Sequence, residues 1–155
     1  MNNNADNLIL ENVKYELTDA AYNFHLEPNE DTQHIELAIE FSFADVDQVL
    51  DESNMQDFNK GKNSLILPAR TVIYFIEERG ADEYSPFCEA QFIGLLVFSN
   101  NNKINTSLVE FQNFILRNNH ELSLLIWKQV REIFKLYIKD KHFPDPPETF
   151  EKQEN

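Results

Sequence analysis

The chain has 155 residues, with 13 basic side chains against 27 acidic ones, a formal net charge of −14 at pH 7 and a pI near 4.5. Such a charge repels nucleic-acid backbones and anionic leaflets, and a 42% hydrophobic content at this length fits one core-bearing domain, residues 1–155. The single Cys88 excludes an internal disulfide, and an amino terminus without a basic or apolar region, plus the lack of a bilayer-length apolar run, leads us to expect a cytoplasmic protein with no membrane insertion.

Acidic residues crowd the first part of the chain: residues 1–60 hold 14 acids and two bases, Lys14 and Lys60. An acidic surface of this kind serves solubility or docks a basic partner. Residues 1–7 and 145–155 are expected to be flexible ends. Val13, Tyr15 and Leu17 alternate in odd phase, whereas Tyr22, Phe24 and Leu26 alternate in even phase. One strand can keep all six on one face only with an extra residue near Thr18-Asp19-Ala20, which predicts a bulge. Pro28-Asn29-Glu30-Asp31 is a turn by composition and predicts an antiparallel hairpin between the first two strands. Ile35, Leu37, Ile39, Phe41 and Phe43 then alternate without a fault, with Glu36, Ala38, Glu40 and Ser42 between them.

The segment 44–63 is a long acidic connection in which Asp45, Asp47, Asp51, Glu52 and Asp57 are interleaved with Val46, Val49, Leu50, Met55 and Phe58. It reads either as a short amphipathic helix capping the sheet or as a mobile lid. Thr71 to Glu77 and Phe87 to Phe98 predict two more strands, apolar on both faces. Helical spacing follows: Leu108, Phe111, Phe114 and Ile115 form one stripe, and Leu122, Leu125, Ile126, Val130, Ile133, Phe134, Tyr137 and Ile138 a longer one, with Asn118-Asn119 between them and Pro144 as a stop. The order predicts an α+β fold, a four-stranded antiparallel sheet followed by a broken C-terminal helical segment packed on one face. The opposite face of the last two strands then calls for a second copy of the chain or an apolar ligand.

Chemistry is sparse. Gly61, Gly80 and Gly94 are too scattered for a phosphate-cradling loop, and His25, His34, His120 and His142 lack ligand spacing, although His25 and His34 could face each other across the first hairpin. Cys88 lies in an apolar strand with no basic neighbour, the setting of a buried hydrophobe rather than a nucleophile. No carboxylate pair is singled out for acid–base work. The expectation is a protein that is not an enzyme, with no metal and no cofactor.

The strand Phe87-Cys88-Glu89-Ala90-Gln91-Phe92-Ile93-Gly94 resembles the fourth strand of the SecB family of protein-export chaperones. The spacing from Arg131-Glu132 to Phe143-Pro144 resembles that family's Ala-Arg-Glu helix and its Phe-Pro exit, and the element order agrees. The resemblance implies an ATP-independent holdase that binds unfolded or secretory polypeptides, works as a homodimer or homotetramer, and can deliver clients to the SecA translocation motor. It implies apolar client grooves bordered by loops, for which Leu50, Met55 and Phe58 are the candidates, whereas Phe41, Phe43, Phe92 and Phe134 read as core. Glu89 matches a family acidic residue that contacts the zinc-binding tail of the SecA motor; by the period of two it points away from Cys88, Ala90 and Phe92. Thirteen phenylalanines and five tyrosines suit unselective apolar capture. One departure is plain: the family's second amphipathic helix after the Phe-Pro exit has no counterpart in Asp145-Pro146-Pro147-Glu148-Thr149-Phe150 and the five residues that follow. The alternative function is a small acidic interaction protein, an immunity protein or a toxin–antitoxin-associated partner, that binds one basic target.

Overall fold

The computed structural model describes residues 4–24, 35–78, 84–141 and 143–152. In chain order these form α1 (Asn4–Leu10), β1 (Val13–Phe24), β2 (Ile35–Phe43), α2 (Val46–Val49), α3 (Glu52–Asn59), β3 (Leu65–Glu78), β4 (Tyr84–Phe98), α4 (Leu108–Arg117) and α5 (Asn119–Ile138). The four strands make one antiparallel sheet in the order β1-β4-β3-β2, with the helices on one face. This is the α+β arrangement expected from the sequence.

The strand pairing corrects one expectation. The first two strands do not form a hairpin: β1 pairs with β4 and β2 with β3, so β1 and β2 are the two edges. The physical reason lies in the residues between the inward ones. Those of β3 and β4 are largely apolar and favour neighbours on both sides, whereas Glu16 and Asp19 in β1 and Glu36 and Glu40 in β2 suit solvated margins. The turn at 28–31 and His25, His34 and His142 lie outside the described residues.

The bulge is where the phase change requires it. Register shifts between Leu17 and Asp19, which brings Tyr15 opposite Leu96 and Tyr22 opposite Ala90 on the same face. Thr18 at the shift donates its hydroxyl to the Ile93 carbonyl at 2.9 Å. Strand β3 starts earlier than its apolar run suggests because Pro68 is accommodated inside it. The Pro68 carbonyl accepts from Ala44 N at 3.0 Å, so its backbone polar side faces the end of β2, where no N–H is needed.

Aromatic rings join the layers. Phe134 of α5 packs edge-on to Phe92 and stacked with Phe75, and Tyr137 stacks on Tyr22 with centroids 3.8 Å apart. Phe98 of β4 meets Phe111 and Phe114 of α4 edge to face. Asn118 separates the two helices, donating its side-chain amide to Phe114 O at 2.9 Å, while Ser107 caps α4 by accepting from Glu110 N.

Gly94 admits a close approach in this core. A Cβ there would overlap the Tyr15 ring, which lies across the strand against the glycine. Burial pushes the Tyr15 hydroxyl up to about 12. Although alanine ordinarily suits a strand better than glycine, Gly94→Ala should lower stability by about 1–3 kcal/mol through overpacking. Urea unfolding should also show that Tyr15→Leu with Gly94→Ala costs less than the two single changes added together.

Candidate interaction surfaces

The sheet face opposite the helices has no cover among the described residues. Its centre is apolar: Ile66, Val72 and Tyr74 from β3 meet Ile93, Leu95 and Val97 from β4, and Ile66 is 47% exposed. Glu16 and Asp19 border it on one side and Glu36 and Glu40 on the other. Arg70 crosses the middle, donating to Gln91 Oε1 at 2.7 Å. Glu89 lies on this face, half-buried between Asn23 and Tyr74 in the register, as its alternation with Cys88 and Ala90 requires. Cys88 itself is fully buried, and desolvation pushes its thiol up to about 11, which suits a packing residue.

The long connection forms helices α2 and α3, and Val46, Leu50, Met55 and Phe58 point inward, whereas Val49 is exposed. Asp51 and Asn54 cap α3 reciprocally: Asp51 Oδ1 accepts from Asn54 N at 3.0 Å, and Asn54 Oδ1 accepts from Asp51 N at 2.7 Å. Leu50, Met55 and Phe58 are 8%, 1% and 0% exposed and belong to the main core. The expectation that they line an open groove does not fit this placement. Their helical spacing marks the buried side of a cap on the sheet, and the interleaved acids mark its solvated side. Replacing all three by serine should therefore abolish cooperative thermal unfolding, since a single large-to-small core change already costs about 2–5 kcal/mol.

Three features have no local sequence signal. Helix α1 is anchored by Asp6, which is buried and accepts from Arg117 Nη2 at 2.9 Å, Arg117 Nε at 3.1 Å and Asn118 Nδ2 at 3.0 Å. The hydrogen bonds from Arg117 hold the Asp6 carboxyl below its ordinary value against the opposing effect of burial. A cleft of about 410 Å³ opens beside this anchor, lined by Asp6, Ile9, Thr106, Glu110, Phe114 and Arg117. The outer helix layer also exposes apolar side chains, with Leu116 of α4 and Leu136 of α5 each 74% accessible.

The third feature is the segment after α5, which runs back along that helix toward its start. Phe143 stacks on Phe75 at 4.6 Å. The Pro146 carbonyl accepts from Arg131 Nε at 3.0 Å and the Pro147 carbonyl from Trp127 Nε1 at 2.9 Å. Phe150 ends the run among Phe41, His120 and Trp127, with ring centroids 5.4, 5.6 and 6.4 Å away. Arg131 and Phe143, both part of the sequence resemblance, thus hold the returning segment to the body.

No helix among the described residues is long and apolar enough to cross a membrane, and no cluster of metal-binding side chains occurs among them. No family model and no curated protein matches the chain. Among solved structures it is similar to the Mycobacterium tuberculosis Rv1957 SecB-like chaperone in complex with a ChAD peptide from the Rv1956 HigA1 antitoxin, with a TM-score of 0.59 at 10% identity and 99% of each chain covered. The chain therefore has the fold of that SecB-like chaperone over essentially its whole length.

Proposed function

We propose that this protein is an ATP-independent holdase chaperone of the SecB-like kind, acting in the cytoplasm on unfolded or secretory polypeptides. The observation that carries the reading is the end-to-end fold likeness to a SecB-like chaperone bound to an antitoxin peptide. Binding by such a protein is passive: apolar contact gives about 25 cal/mol per Å² buried and asks for no particular client sequence. The exposed Ile66 and Ile93 of the open face and the exposed Leu116 and Leu136 are in keeping with a molecule that associates through apolar surface. Glu89 is the docking residue of this reading for a basic partner tail, the SecA motor being the partner the family resemblance implies.

The deciding measurement is breadth. At micromolar concentration the protein should suppress aggregation of several unrelated unfolded proteins without nucleotide, and Glu89→Lys should keep that activity while losing salt-sensitive binding to a basic tail peptide. Activity toward none of them, with tight binding to one basic target, would instead identify a dedicated interaction protein.

Homo-oligomerisation belongs to the same proposal, because apolar side chains are exposed on both the sheet layer and the helix layer, and one copy cannot cover its own two outsides. Sedimentation equilibrium at tens of micromolar should give a mass at least twice 18.2 kDa. A clean monomer would remove this part of the proposal.

A further inference from the structure

The returning segment occupies a place built for a peptide rather than for these particular side chains. Two side-chain donors on α5 hold it, Trp127 Nε1 and Arg131 Nε, four residues apart and so on one face of the helix. Both bind main-chain carbonyls, which every polypeptide has. Trp127 is fully buried and the Arg131 side chain is 13% exposed. If the segment left, both donors would turn to water, and a chain that takes the same seat without losing those bonds must offer acceptors to them. Any replacement must therefore bring backbone carbonyls at the same spacing.

It must also bring an aromatic or large apolar side chain. Phe150, three positions beyond Pro147, enters a slot walled by Phe41, His120 and Trp127, yet it remains only half-buried. Pro147, Glu148 and Thr149 between them face solvent, as do Glu151 and Lys152 beyond. Residues 145–152 form neither helix nor strand, and the contacts that secure them are the two carbonyls, the buried Pro146 and the Phe150 ring. These are contacts that another extended chain could duplicate.

We propose that residues 145–152 are an intramolecular strap that fills a peptide-binding slot on α5 and β2, and that an extended polypeptide segment carrying an aromatic residue binds this protein by displacing Phe150. The identity of the displacing segment as an unfolded client rests on the chaperone reading; the slot and its strap do not. Because the strap is tethered, it competes at an effective concentration of about a millimolar, which screens out weak ligands.

Trp127 is the single tryptophan and touches the strap directly, so its emission reports occupancy in the full-length protein. A synthetic peptide with the sequence of residues 145–152 should bind the full-length Phe150→Ser variant saturably and at least tenfold more tightly than it binds wild type. A peptide with serine in place of the phenylalanine should bind neither. Reduced, carboxymethylated lactalbumin should be captured at least threefold more tightly by Phe150→Ser than by wild type, and an excess of the phenylalanine peptide should compete it away from both. Circular dichroism of the variant guards against loss of fold, and the peptide competition on wild type needs no variant at all. Equal peptide binding by wild type and a folded Phe150→Ser, or capture on wild type untouched by the peptide, overturns the strap even if both forms hold clients. Peptide binding as expected, with no client captured by either form, overturns clients as the displacing segment and the chaperone reading with them.

Discussion

The width of the sheet governs most of this architecture. Four strands about 4.8 Å apart place the outer backbones about 14 Å from each other before side chains are added, and a single helix is only about 10 Å across. Helix α5 lies over β1, β4 and β3: Gln129 Nε2 donates to Tyr15 O, Tyr137 stacks on Tyr22, and Phe134 packs on Phe92 and Phe75. The inward residues of β2 are then beyond its reach. Phe41 and its neighbours would face water if nothing else covered them. The helices of the long connection close one end of the sheet, and the returning segment, with Phe150 on Phe41, closes the β2 margin. What composition marked as a loose tail is the part of the cover that a single helix cannot supply.

The sequence was readable where structure is decided locally. Alternation in Ile35 to Phe43, the phase change around Thr18, and the break at Asn118 depend on residues within one turn or one strand, and each has its counterpart in the fold. Strand order was not readable, because a turn-like composition at 28–31 is compatible with any connection, while pairing is decided by which strands are apolar on both faces. The start of β3 was hidden by Pro68, whose tolerance depends on β2 ending opposite it. Leu50, Met55 and Phe58 looked like groove residues because they lie in a long acidic connection and the family resemblance implies grooves bordered by loops. On a helix, residues three apart share a face whatever lies between, so the acids report the other side. Asp6 and Arg117 could not have been matched by any local pattern.

The residues behind the family resemblance have structural work that explains their spacing. Phe92 and Cys88 pack under α5, Gly94 makes room for Tyr15, and Glu89 is turned to the open face by the pleat. In the last helix, Arg131 takes the Pro146 carbonyl and bonds Glu132 at 3.0 Å, while Phe143 seats on Phe75. The motif thus describes how a chain leaves the helix and turns back over the sheet. That geometry stands independently of any motor contact.

The anchoring of α1 has a consequence for synthesis. Asp6 leaves the ribosome 111 residues ahead of its partner Arg117. Strand β1 likewise waits for β4, its one strand neighbour among the described residues. Helix α1 and strand β1 thus wait, unmated, until β4 and α4 have been made. Closure of this domain therefore depends on contacts between segments far apart in sequence, the kind that form slowly.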